Sequence, residues 1–237
     1  MAMRAEARPL IDELAAVERE LPVAVGPLPL RWYDARVGGL TVVVAVNGVN
    51  RRFGVDEIST LPAALNAYVT ALHRRPDLLI SAGTAGGWAE RGAAVGDVFV
   101  SHEHLVFHDR RIPLAGFEEY GVGSYPAVDA RGMARSLGLK KGIVTTGDSL
   151  DHSAQDEQRM RHLGADAKEM EAAAVAWIAE QLSIPVMAVK AITDLVDAAV
   201  PTGEQFVQNL ARASEALCDA VVRVLEYCEG RTIGDLA

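Results

Sequence analysis

From Glu6 to Leu21 apolar residues recur at helical spacing. Leu10, Ile11, Leu14, Ala15 and Val17 form one stripe with acids between them, which predicts an amphipathic helix. Pro9 is compatible with its first turn. Thr41–Val46 is a continuous, β-branched apolar run, as expected of a strand buried on both faces. A helix is predicted over Asp56–Arg74, kinked or restarted at Pro62. Further apolar runs predict strands at Asp77–Ser81, Val95–Ser101, Gly142–Thr146 and Ile184–Thr193, the last meeting Asp194. An Ala-rich helix is expected over Met170–Leu182 and a long closing helix over Gly203–Glu229. Strands alternate with helices, so the expected class is α/β, one domain, with a largely parallel sheet. His104–Pro126 has no clear period and reads as a functional or interface loop.

Composition narrows the function. The formal net charge of −9 opposes nucleic-acid binding, and the basic pairs Arg51-Arg52, Arg74-Arg75, Arg110-Arg111 and Lys140-Lys141 are scattered. No run approaches the roughly 20 apolar residues of a membrane span. The first ten residues carry Arg4, Glu6, Arg8 and Pro9 in place of a secretory core. Cys218 and Cys228 both fall in the closing helix, about 15 Å apart along its axis, too far for a disulfide. Reduced thiols point to the cytosol. The six histidines, among them His102, His104 and His108, have no metal-site spacing, so no metal is expected.

In α/β sheets ligands bind beyond the carboxyl ends of the strands. The polar residues at those ends are therefore the candidates. Gly83, Thr84, Gly86 and Gly87 follow one strand, Gly147-Asp148-Ser149 another, and Thr193-Asp194 the last; Lys168-Glu169-Met170-Glu171 opens the Ala-rich helix. Each has a structural reading as well. The glycines suit a tight turn, Glu169 and Glu171 suit a helix N-terminus, and Asp194 and Asp197 suit caps. Neither a dinucleotide fingerprint nor a P-loop is present, so no such cofactor is expected.

The segments Ser81–Gly87, Thr146–Ser149, Lys168–Ala172 and Lys190–Asp194, in that order, resemble the nucleoside phosphorylase and nucleosidase superfamily. Within it they resemble 5'-methylthioadenosine/S-adenosylhomocysteine nucleosidases. Val106–Pro113, Gly147–Asp151, Ala191–Asp197 and Pro201–Leu210 look like the plant type in particular, as does Lys190, where bacterial members usually carry Arg. The resemblance spans roughly the whole chain. It implies a mixed central sheet flanked by helices, a homodimer, a purine nucleoside substrate and no cofactor.

It also implies roles. Asp194 is the general acid at purine N7, and Glu6 positions and activates water. Glu171 binds the ribose hydroxyls, Met170 lies under the ribose, and Thr84 stands beside the water. Leu150 and Asp151 form the purine segment, Asp151 through its backbone. Met3 and Phe206 line the alkylthio pocket, and Lys190 belongs to the site. His108 and Tyr120 complete the pocket from the partner subunit. An acid must reach N7 because protonation turns a poor anionic leaving group into neutral adenine. Asp194 is therefore expected to have a raised pKa.

The resemblance has a departure. Family members carry an apolar first strand before the Met-x-x-Glu segment, and here only Met1-Ala2 precedes Met3. Either the start lies elsewhere or the sheet lacks that strand; Glu6 is then expected to be loosely anchored. The alternatives are a phosphorylase, with Arg51 and Arg52 as phosphate ligands, a hydrolase of another purine nucleoside, or a catalytically silent nucleoside-binding protein.

Overall fold

The computed structural model describes residues 1–237. Near the N-terminus β1 (Val17–Arg19), β2 (Arg31–Val37) and β3 (Leu40–Val46) form an antiparallel sheet in that order. A second sheet holds β4 (Leu79–Gly87), β5 (Val98–Phe107), β6 (Tyr125–Pro126), β7 (Lys140–Thr146), β8 (Ala165–Glu169) and β9 (Val186–Leu195), ordered β6-β5-β7-β8-β4-β9. It is mixed: β5–β7, β7–β8 and β4–β9 are parallel, whereas β4–β8 is antiparallel. An additional antiparallel pairing of β5 with β9 closes β5, β7, β8, β4 and β9 into a ring. The helices are α1 (Arg4–Glu13), α2 (Thr60–Arg74), α3 (Glu118–Val122), α4 (Arg131–Leu137), α5 (Ala154–His162), α6 (Ala172–Leu182) and α7 (Thr202–Cys228).

Packing explains the helices. α7 sets Leu217, Val221 and Val224 against Ala7 and Leu10 of α1 and Val189 of β9. In α6, Ala172, Ala173, Ala176 and Ala179 are buried against Val144, Ala188 and Ile192, the small residues letting helix and sheet approach closely.

Several expectations need correction. The first helix ends at Glu13 rather than Leu21: Ala15 adopts a left-handed φ of 46°, and Val17 then pairs with Asp34 as a strand. Tertiary pairing there overrides the helical stripe. Thr41–Val46 is a strand, but Thr41 is exposed and its sheet is antiparallel. Pro62 sits in the first turn of α2, which starts at Thr60, so nothing is kinked. The glycine segment is not a turn. β4 continues through it, with a register shift against β9 between Ala85 and Gly86, and a Cβ at Gly87 would come within 2.7 Å of the Ala93 Cβ. The glycines serve close approach between strands. Lys168 and Glu169 end strand β8, and the helix begins at Ala172. The segment expected to be irregular from His104 holds the end of β5, then α3 and β6.

β3 and β4 share no ladder; a cavity of about 640 Å³ separates them, lined in part by Val42, Val44 and Leu79. Met1 alone pairs along β3: its amine donates to Ala45 O (2.8 Å) and its carbonyl accepts from Asn47 N (3.1 Å). No strand precedes α1 among the described residues.

Candidate active site

Glu6 lies in the first turn of α1 and is buried, at 4% exposure. Its Oε1 accepts from the Thr84 amide (2.8 Å) and hydroxyl (2.6 Å), and its Oε2 from the Met3 amide (3.2 Å). The expected loose anchoring is therefore wrong: three donors fix this carboxylate although it is six residues from the terminus. β4 carries Thr84 to it and Gly83 leaves room beside it. A Cβ at Gly83 would sit 3.5 Å from both Glu6 Oε1 and Lys190 Nζ, so carboxylate and ammonium converge over that glycine.

Lys190, in the middle of β9, is 1% exposed. It pairs with Glu169 (2.8 Å) and donates to Ser81 Oγ (3.2 Å). Burial opposes its charge, but Glu169 and Glu171 outweigh burial and hold the ammonium above its ordinary pKa. Glu169 also accepts from the amides of Glu171 (3.0 Å) and Ala172 (2.9 Å) and from the Thr146 hydroxyl. It thus satisfies the N-terminus of α6, which confirms the capping reading for this acid.

Glu171 does something else. Its Oε1 accepts from the Ser59 amide (2.8 Å), at a backbone conformation (φ 84°, ψ −179°) that is essentially reserved for glycine. Asp148 fastens that bend by accepting from the Ser59 hydroxyl and from the Thr60 amide and hydroxyl, both at 2.9 Å. Burial first, then the neighbouring Glu169, pushes the Glu171 carboxyl up to about 7. Sequence reading missed Ser59, because its strained backbone is set by contacts more than eighty residues away.

Asp194 stands near the end of β9, 3% exposed, accepting from Thr193 Oγ1 (2.7 Å). Burial raises its pKa; Thr193, Lys168 and His152 oppose without reversing it. This is the direction the sequence led us to expect. Gly86 makes the space: a Cβ there would be 2.6 Å from Asp194 Oδ2. The start of α7 clamps this strand end. Gln205 accepts from Leu195 N (3.0 Å), and Asn209 Nδ2 donates to Thr193 O (2.9 Å). Neither residue was singled out in the sequence; a Gln and an Asn one helical turn apart, facing a strand end, was the signal available.

The structure brings Glu6, Glu171 and Lys190 together in the lining of the cavity between β3 and β4, with Thr84 bonded to Glu6 behind it. Asp194 is four residues further along β9, about 13 Å at ordinary strand rise. It does not line that cavity, nor do Met170, Leu150, Asp151 or Phe206. Met170 lies between the two glutamates. Leu150 is 42% exposed beside exposed Asp151. Met3 and Phe206 are half-buried at the start of α1 and in the first turns of α7. Tyr120 is exposed. His108 departs from expectation: it is 2% exposed and bonded to Thr145 Oγ1 (2.9 Å), so it is internal to its own chain. Burial lowers its pKa to about 4. Arg51 and Arg52 are exposed in a surface turn.

Among the described residues no cluster of His, Cys, Asp and Glu is arranged to hold a metal. What the arrangement offers is a fixed carboxylate beside a buried cation, a second carboxyl of raised pKa, and a buried acid at the far end of one strand.

The phosphorylase superfamily model matches residues 1–226. A 5'-methylthioadenosine nucleosidase of Arabidopsis thaliana is 41% identical over 237 residues, covering 100% of this chain and 88% of the relative. A 5'-methylthioadenosine/S-adenosylhomocysteine nucleosidase of the same plant is 37% identical, covering 100% of this chain and 92% of the relative. A solved structure of Arabidopsis thaliana 5'-methylthioadenosine nucleosidase superposes with a TM-score of 0.96 at 40% identity, covering 99% of this chain and 96% of that one. With its closed mixed sheet and carboxylate cluster, this chain belongs to the phosphorylase superfamily, among the 5'-methylthioadenosine/S-adenosylhomocysteine nucleosidases.

Proposed function

We propose that the protein hydrolyses the N-glycosidic bond of 5'-methylthioadenosine, giving adenine and methylthioribose. S-adenosylhomocysteine is the related substrate to test beside it. The observation that carries the reading is the Glu6 carboxylate, buried and pinned by Thr84 and Met3, with the Lys190 ammonium beside it. A fixed carboxylate at that point suits a water nucleophile and repels phosphate.

In this reading Asp194 gives its proton to N7 while the bond from C1' to N9 breaks, its electron pair staying with the base. Adenine leaves neutral. Water attacks C1' as Glu6 takes its proton. Glu171 holds the ribose hydroxyls and stabilises positive charge on the ring. Met170 underlies the ribose. The backbone at Leu150 and Asp151 meets the purine, and Met3 and Phe206 receive the alkylthio group. No step calls for a cofactor.

We also infer a homodimer. Leu61, Leu65, Tyr68 and Leu72 form one stripe along α2 and are 83%, 42%, 44% and 49% exposed, with Trp177 of α6 40% exposed. A stripe of that spacing facing solvent marks an interface. A second copy is the occupant this reading requires, and Tyr120 is then free to reach the partner's pocket.

The test is product analysis with and without phosphate. The reading predicts adenine and free methylthioribose in phosphate-free buffer. A strict phosphate requirement, yielding a sugar phosphate, would make the protein a phosphorylase.

A further inference from the structure

Lys168 is 5% exposed and, among the described residues, forms no ion pair within 4.0 Å. Its Nζ donates to the carbonyl oxygens of Ser149 (2.9 Å) and Leu150 (2.7 Å). Two neutral acceptors anchor a buried ammonium but leave its charge uncancelled.

The strand register shows where that charge acts. Gly86 of β4 is level with Lys168 of β8 on one side and with Asp194 of β9 on the other. Residues level across neighbouring strands face the same side of the sheet. Two strand spacings separate their backbones, about 10 Å. The position between them is Gly86, where a Cβ would lie 2.6 Å from Asp194 Oδ2. A Cβ there would also meet Val196 Cγ2 at 2.9 Å, so the strand between the lysine and the acid carries no side chain at this level.

We propose that Lys168 is a positioning residue for the proton transfer, holding the backbone of Ser149 and Leu150 at the purine and stabilising the carboxylate that Asp194 becomes. This rests on Asp194 being the acid at N7. When its proton passes to the purine and the glycosidic electron pair goes to the base, a negative charge is left in a buried pocket. Burial disfavours that charge; the Thr193 hydroxyl, Lys168 on β8 and His152 beyond β7 favour it. Facing Lys168 are Asp194, Asp151, Glu169 and Asp156, with Asp194 the foremost of these acids in sustaining its charge against burial. Without the ammonium, Asp194 becomes a weaker acid whose conjugate base is harder to form.

The test is the pH profile of Lys168→Met, Lys168→Gln and Lys168→Arg with 5'-methylthioadenosine. In the two neutral variants the alkaline limb of kcat/KM is expected to move up by about one pH unit, and plateau kcat to fall about 10-fold. Lys168→Gln keeps a donor for the carbonyls and carries the test if Lys168→Met does not fold. Lys168→Arg should restore the limb. In an Asp194→Asn background, Lys168→Gln, which keeps a donor for the two carbonyls, should add less than about a twofold loss. An unmoved limb, or losses that multiply with Asp194→Asn, overturns the proposal. Near-normal turnover in Asp194→Asn alone overturns the functional reading instead, so the two failures are distinguishable.

Discussion

At the scale of single residues, the site rests on two carboxyl groups whose environments push them the same way for different ends. Glu171 is raised from 4.5 to about 7, chiefly by burial. A raised folded-state value means folding favours the protonated form, so this group's stabilisation is complete below about 4.5 and is lost as pH rises through about 7. Holding two ribose hydroxyls needs the ionised form. KM for the nucleoside should therefore fall as pH rises through about 7 and then level, which a KM–pH series reads directly. Asp194 must instead keep its proton, so kcat should decline on the alkaline side. A KM that is flat across this range would separate Glu171 from substrate binding. Glu6→Gln keeps the shape but cannot take a proton; kcat should drop about 10²–10⁴-fold with little change in KM. Asp194 and Glu171 were singled out from residue type at strand ends and from the resemblance. Ser59, Gln205 and Asn209 were not, because each bonds a partner that only the folded chain brings close, and Lys168 stood in a candidate segment without its place across Gly86 from Asp194 being visible.

At the scale of elements, β4 and β9 build the site together. Their parallel pairing sets Gly83 beside Lys190 and Gly86 beside Asp194. The glycines of β4 look like a turn in the sequence because glycine is the usual turn residue. At Gly86 and Gly87 the reason is space: a Cβ would meet Asp194 Oδ2 at 2.6 Å and the Ala93 Cβ at 2.7 Å. Gly86→Ala should fold yet displace the Asp194 carboxylate, lowering kcat by at least about 10-fold, since misplacing a reacting group by an ångström costs up to about 10². Wild-type kcat in this variant would show that the contact is not critical. Strands with β-branched runs were read correctly in kind. β8 (Ala-Asp-Ala-Lys-Glu) was missed because it has neither alternation nor a run of large apolar residues. β2 was missed too, its Trp32 and Tyr33 lying among Arg31, Asp34 and Arg36.

At the scale of the whole molecule, the α/β class was legible from the alternation of elements and the mixed sheet only from the resemblance, while ring closure was in neither. It depends on β9 returning to pair with β5, a contact across about ninety residues. The exposed α2 stripe was hidden as well, since an apolar helix face reads as core whether its cover is the same chain or another. Leu61→Asp with Tyr68→Asp should convert a dimer to monomer in sedimentation velocity while leaving the far-ultraviolet spectrum unchanged. A wild-type monomer at micromolar concentration would remove the dimer from the account. Whether Asp194 protonates the leaving base is read from the rate of adenine release from 5'-methylthioadenosine in phosphate-free buffer, wild type against Asp194→Asn. Steady release by the wild type and a loss of about 10²–10⁴-fold in the variant are expected. Equal rates in the two proteins would contradict that role.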